Sequence, residues 1–337
     1  ILAFINLIFL PQGQSWQIGF LDYTLILSRV DGLSTVFGYI FILITFIGVI
    51  YALHVKDNIQ HVAAFCYAGG ALGVTFTGDL FSLYFFWELM AVASCFLILA
   101  QRTTDSRKAA FRYFMWHFFG GVCLLAGIVI YVSIRGTITF SYIGLSDLGT
   151  ALIFVGFCLN AAIFPFHSWL PDAYPRATIT GAVFMSAMTT KSAVYILART
   201  YPGSEVLMWA GAFMTCFPIF YAVIANDMRR VLSYSLINQV GFMVVGIGIG
   251  TELAINGAVA HAFNDILFKG LLFMSVGAVM YRTGKVNATD LGGLYKCMPI
   301  TCFFCIVGAA SISAFPLFSG FVSKSLVMSA AAHEHLW

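Results

Sequence analysis

Seven ionisable side chains, Glu88, His117, Lys191, His261, Asp265, Lys269 and Lys324, lie inside segments otherwise apolar enough for a lipid bilayer. A charge at the centre of a membrane helix costs about 2.5–3.5 kcal/mol on insertion scales, so such groups line a wet path or neutralise one another. Carboxyl, imidazole and ammonium groups in series are the chemistry of proton transfer, which points to a chain that moves ions. His261, Asp265 and Lys269 recur every four residues, a spacing that sets them on one helical face, roughly 6 Å apart per step. Asn264 borders that face, while Phe263, Ile266 and Leu267 fill the others. An ion pair between Asp265 and Lys269 is expected there, with His261 exchanging a proton near neutral pH. The alternative is a structural polar knot between helices.

Glu88 stands in Leu83-Tyr-Phe-Phe-Trp-Glu88-Leu-Met and Lys191 in Met188-Thr-Thr-Lys191-Ser-Ala-Val-Tyr195, both in apolar surroundings. A buried carboxyl and a buried amine shift towards each other's proton affinity, so Lys191 is the expected counterpart of Glu88. His117, among Trp116, Phe118 and Phe119, reads as a histidine satisfied within the core.

The elements that must carry these groups follow from composition. Hydrophobic residues make up 61% of the chain and charged ones only 9%, which excludes a soluble domain. Ten apolar spans long enough to cross a bilayer as helices are expected: 33–53, 61–77, 80–100, 111–133, 149–166, 177–200, 206–225, 231–250, 253–281 and 299–330. Before them, residues 1–32 read as the end of a membrane helix followed by a hairpin on the outer surface, with Trp16-Gln17-Ile18-Gly19-Phe20 as its alternating strand. Residues 33–337 form the transmembrane domain. The chain opens within the apolar run Ile1–Leu10 and closes without a polar tail, so a piece of a longer protein, lacking its C-terminal helices, is expected.

Alternate ends of the spans differ in charge. One side collects Lys56, Arg102, Arg107, Lys108, Arg112, Arg176, Arg229, Arg230, Arg282, Lys285 and Lys296, the other only Arg29, Arg135 and Arg199. The first is therefore expected to be cytoplasmic. Two spans carry a proline at a similar place, Pro165 and Pro316, which frees backbone carbonyls inside the membrane. Paired broken helices five crossings apart suggest inverted repeats. The expected fold is thus an all-α polytopic membrane bundle with inverted repeats and two broken helices.

Other signals are weak. The eight cysteines are scattered through apolar helices, and Cys302-x-x-Cys305 lacks a second pair. Gly246-Ile-Gly-Ile-Gly250 follows no strand and reads as close helix packing, not a nucleotide loop. No cofactor signature is legible, no two histidines have the setting of haem ligands, and a net charge of +3 explained by topology does not point to nucleic acid.

The assembled motifs resemble the antiporter-like proton-translocating subunits shared by Mrp-type sodium/proton antiporters, respiratory complex I and membrane-bound hydrogenases. They are Phe86-Trp-Glu88-Leu-Met90, Pro165-Phe-His167-Ser-Trp-Leu-Pro171-Asp-Ala, Asn226-Asp-Met-Arg-Arg230-Val-Leu-Ser-Tyr234-Ser, His261-x-x-Asn264-x-x-x-Phe268-Lys269-x-x-Leu-Phe273 and Phe315-Pro316-x-x-x-Gly320-Phe-x-Ser-Lys324. Within that family the chain is most similar to the D-type subunits of Mrp antiporters. The resemblance implies a fourteen-helix fold, of which helices three to twelve are present, with helices seven and twelve broken. It makes Glu88 the helix-five carboxylate, Lys191 the helix-eight bridging base, His261 and Lys269 the central relay and Lys324 the terminal group. Asn160 and His167 fall at the helix-seven site. Most members carry a lysine where this chain has Asn160, so Glu88 is expected to couple to Lys191 directly or through water. Asp265 stands where many relatives have histidine, adding an acid beside Lys269.

The function so implied is that of an ion-translocating subunit of a multisubunit monovalent cation (sodium)/proton antiporter in the plasma (inner) membrane of a prokaryote. Its partners would be other membrane subunits, and its ions protons with sodium or potassium. The alternatives are a proton-pumping membrane subunit of an NADH:quinone oxidoreductase or hydrogenase, and a non-conducting scaffold.

Overall fold

Within a bilayer the backbone must satisfy its own hydrogen bonds, and the computed structural model meets that demand with helices. It describes residues 2–20 and 22–336; Ile1, Leu21 and Trp337, at the start of the apolar run, in the hairpin and at the chain's end, lie outside the described residues. Helix α1 (Leu2–Phe9) precedes an antiparallel hairpin, β1 (Gly13–Phe20) with β2 (Tyr23–Val30), paired from Gly13 opposite Val30 to Phe20 opposite Tyr23. There follow α2 (Gly32–Tyr51), α3 (Asn58–Phe76), α4 (Leu80–Leu99), α5 (Thr104–Arg135), α6 (Leu148–Asn160) and α7 (Trp169–Ala173). The rest comprises α8 (Ile179–Ala187), α9 (Thr189–Thr200), α10 (Glu205–Ile224), α11 (Met228–Ile249), α12 (Glu252–Thr283), α13 (Leu294–Cys297), α14 (Pro299–Ile312) and α15 (Ser319–His333).

Eight helical stretches among the described residues, with α8 and α9 taken as one, are long and apolar enough to cross a membrane. The remaining two expected spans are those interrupted near proline, where α6 and α14 are shorter apolar helices. The chain is therefore a multi-pass integral membrane protein. Its helices begin where polar residues accept first-turn N–H groups: Asp31, Asp57, Asp79, Thr103, Asp147, Thr178, Asp227 and Thr251 all do so. Lipid offers no hydrophobic drive between helices, so close backbone approach counts for more. Gly248 lies so near α10 that a Cβ would collide with the backbone nitrogen of Met208, and one on Gly241 would meet Thr215 N at 2.8 Å. The glycine run is packing, as its sequence suggests.

An internal repeat is visible in the hydrogen bonds. Leu80 N–H donates to Ile138 O and Phe140 N–H to Gly78 O; 148 positions later (80 to 228, 140 to 288), Met228 N–H donates to Val286 O and Ala288 N–H to Asn226 O. The helices between keep the same register: α5 and α12 are both 32 residues long and start at 104 and 252. Five crossings separate the two clasps, so they close opposite ends of the bundle and the repeats are inverted. Other contacts sort the same way. The end read as outer joins Gly78 to Ile26, Ile143 to Thr200 and Gly203 to Ile247, while the opposite end joins Thr178 to Leu97.

Both proline breaks are present. Helix α6 stops at Asn160, the chain passes through a cis Phe164–Pro165 bond, and α7 begins at Trp169; α14 stops at Ile312 and α15 resumes at Ser319. A third break was not expected: the span 177–200 is interrupted at Met188, between α8 and α9, where neither proline nor glycine stands.

At the outer end, Arg199 on α9 donates to both carboxylate oxygens of Asp31, at 2.8 Å each, and lies over the Tyr195 ring. Burial works against the Asp31 carboxylate, but hydrogen bonds from Arg199 and Ser34 N–H and the charges of Arg199 and Arg29 outweigh it and hold the carboxyl at about 2. An unfolded aspartate titrates at about 3.9, so the pair stabilises the fold fully above that pH and loses its effect as pH falls towards 2. The advantage of the native protein over Asp31→Asn in thermal unfolding, followed by tryptophan fluorescence in detergent, is expected at pH 6 and to vanish between pH 4 and 2. An advantage that persists at pH 2 contradicts the assignment.

Candidate functional site

The Met188 break is where the site is built. A continuous helix would join Thr189 N–H to Met185 O; instead Thr189 N–H donates to the Tyr67 hydroxyl at 3.0 Å, and Met185 O accepts the Tyr174 hydroxyl at 2.7 Å. The next carbonyl, Ser186 O, accepts Lys191 Nζ at 2.9 Å. Lys191 is fully buried, and the same ammonium lies 2.5 Å from Asp265 Oδ2 on α12, an ion pair with neither side chain exposed. The contact lacks the angle of a hydrogen bond, and Asp265 Oδ1 has no protein partner.

Asp265 is therefore paired across helices, not along its own. The expected bond to Lys269 does not form, because Lys269 Nζ turns to α11, where it donates to Ser235 Oγ at 2.8 Å and Leu232 O at 3.3 Å. The i, i+4 spacing put the three groups on one face correctly; what lies opposite that face decides the partners. His261, buried one turn before Asp265, places Nδ1 2.9 Å from Ser323 Oγ on α15 and leaves Nε2 without a partner. Lys324, next to Ser323, donates to Ile312 O at 2.8 Å, the carbonyl freed where α14 breaks. Its ammonium also lies 4.8 Å from the Phe242 ring centre, and Phe242 packs on His261. The structure thus brings together Lys191, Asp265, His261, Lys269 and Lys324 around α12. Lysines cap loose carbonyls at two of the three breaks; at α6, Leu159 O instead accepts Trp169 Nε1.

Glu88 stands apart from this cluster. The expected coupling to Lys191 is not a direct contact, since Asp265 and Ser186 occupy that ammonium, and Glu88 Oε1 is buried with no partner. Its carboxyl lies against Gly121 on α5, filling the place that a Cβ would take. One turn earlier on α5, His117 is buried between the rings of Tyr113 and Trp169, at 4.1 and 4.7 Å. The expectation that the core satisfies it fails: neither ring nitrogen has a hydrogen bond. The Asn160 amide lies beside the ring, yet its nitrogen and oxygen complete no bond either. His167, half-buried past the α6 break, stacks on Phe164, meets Phe217 edge-on and leaves Nδ1 unpartnered.

The 148-residue register relates these groups to the others. Tyr113, His117 and Gly121 occupy the places that His261, Asp265 and Lys269 hold in the second repeat. Sequence reasoning missed Tyr67, which caps the break, and the polar side chains of α11, although Ser233, Ser235, Asn238 and Gln239 within one apolar span were a readable signal. Asn238 donates to Thr215 O at 2.6 Å, and Gln239 Oε1 is buried without a partner. Buried polar atoms without a protein partner are as a rule met by ordered water.

Comparison with known proteins converges on one lineage. The family model "NADH:quinone oxidoreductase/Mrp antiporter, TM" matches residues 77–337. The A/B-type subunit of a probable K(+)/H(+) antiporter of Rhizobium meliloti is 32% identical over 94% of this chain and 34% of its own length. The D-type subunit of the Na(+)/H(+) antiporter of Alkalihalophilus pseudofirmus is 32% identical over 79% of this chain and 58% of its own. The chain thus spans about one third to three fifths of these curated relatives. In fold it is similar to a chain of the Mrp complex from Dietzia sp. DQ12-45-1b, with a TM-score of 0.88, 22% identity, and 99% of this chain covering 67% of that one. With most of its length inside the family model and its broken helices and inverted clasps in place, this chain belongs to the NADH:quinone oxidoreductase/Mrp antiporter transmembrane family.

Proposed function

We propose that the chain is an ion-translocating subunit of a multisubunit monovalent cation/proton antiporter, set among other membrane subunits in the plasma membrane of a prokaryote. The observation that carries this reading is the fully buried Lys191–Asp265 pair, flanked on α12 by His261 and Lys269 and on α15 by Lys324. A pair of this kind is poor as a device for stability, because desolvating two ions costs about as much as their attraction returns. It is well suited to switching. Protonation of Asp265 removes the counter-charge of Lys191, which then sheds its proton or swings its flexible stem to another acceptor, and positive charge passes between α12 and α9. Lys269 and His261 stand one turn to either side as donor and acceptor for Asp265, and Lys324 at the second break is the terminal group.

Removing one member of the pair leaves the other charged and unpaired. Asp265→Asn is expected to destabilise the protein by about 3–5 kcal/mol, while the double change Lys191→Met with Asp265→Leu recovers most of that loss. Proton flux in vesicles stays abolished in both. Flux that returns along with stability would make the pair a structural knot and end the relay reading.

Gly121→Val places a side chain where the Glu88 carboxyl now lies, so flux is expected to fall about as far as in Glu88→Gln, by roughly 100-fold, with the helical content unchanged. Full flux in either variant removes Glu88 from the path. The assembly itself is read by co-purification: small membrane subunits alone support the antiporter, whereas flavin or iron–sulfur subunits would assign the same row to a redox-driven pump.

A further inference from the structure

We infer that His117 and Asn160 form a second proton site, in which the His117 ring exchanges a proton with Glu88. This rests on the transport reading above and extends it to groups that the Lys191–Asp265 row leaves out. Three observations carry it. First, His117 is 2% exposed and both of its ring nitrogens lack a partner. A merely structural histidine at this depth would have at least one nitrogen bonded, because an unpaired buried polar group costs about 1–3 kcal/mol. Second, the neighbouring Asn160 also leaves its amide nitrogen and oxygen unbonded at 1% exposure. An amide presents one donor and one acceptor group, so it can face either form of the ring, or the water that bridges to it. Third, Glu88 Oε1 is a further unpartnered atom and stands where a Gly121 Cβ would otherwise be. Gly121 is one turn along α5 from His117, so the carboxyl and the histidine share one face of that helix, and water carries the proton between them.

The step is a plain proton transfer. The imidazolium releases a proton from one ring nitrogen through the water to the Glu88 carboxylate, leaving neutral imidazole and carboxylic acid; the other nitrogen is free to take up the next proton on the Asn160 side. The ring is held for this by Tyr113 and Trp169. The Tyr113 hydroxyl beside the ring is engaged by Ser94 at 2.8 Å, and the acceptor in this step is Glu88 from α4. His261, in contrast, has one nitrogen committed to Ser323.

The test uses the assembled complex in everted vesicles, with cation-driven proton flux read from a fluorescent pH-gradient dye across pH 6–10. His117→Gln keeps size and hydrogen bonding but does not titrate, and its flux is expected to fall at least about tenfold while the complex assembles. Asn160→Asp sets a carboxylate against the imidazolium, so the alkaline limb of its flux profile should move to higher pH, and that movement should disappear in the His117→Gln background. Native flux and profile in His117→Gln overturn the inference. If His117→Gln does not assemble, Asn160→Asp alone decides, an unmoved profile overturning it. Glu88→Gln separates the two levels: flux that survives it sinks the transport path as a whole, whereas flux lost there but kept in His117→Gln sinks only the histidine site.

Discussion

The ion pair between Lys191 and Asp265 joins the halves of this molecule. Lys191 lies in the first repeat, at the start of α9, and Asp265 lies at the middle of α12 in the second; neither is touched by solvent. Where the ammonium meets that carboxylate, the α8–α9 span is open at Met188 and presents Ser186 O to the same nitrogen. Opening the span frees a backbone N–H and a further carbonyl, and the tyrosines at 67 and 174 take these up. One buried charge pair thus sits with a helix break, two buried hydroxyls and the contact of α3 with α9.

The same backbone accounting explains the other two interruptions. Irregular chain at membrane depth persists only where its polar groups are met by protein or water. Trp169 meets Leu159 O and Lys324 meets Ile312 O. At two of the three breaks the capping group is a lysine of the same charged row, so the features that interrupt the helices are those that hold the charges.

Much of this was legible in the sequence. Apolar length located the spans, proline marked two breaks, and four-residue spacing placed His261, Asp265 and Lys269 on one face. Partner choice was not legible. Periodicity states which residues share a face of one helix and nothing about what a second helix sets against it; Asp265 thus looked bound to Lys269 until α9 supplied Lys191. The Met188 break has no proline or glycine to announce it, because its cause is a tertiary demand met by Tyr67, more than a hundred positions away. His117 read as a satisfied core residue because the sequence cannot count hydrogen bonds.

The inverted register also has an electrical consequence. At related places on α5 and α12, the first repeat leaves a bare backbone face at Gly121, filled by the Glu88 carboxyl, while the second projects the Lys269 ammonium. A near-symmetric scaffold therefore carries an acidic group at one of two symmetry-related points and a basic group at the other. The fold supplies two related places, and the side chains make one of them acidic and the other basic.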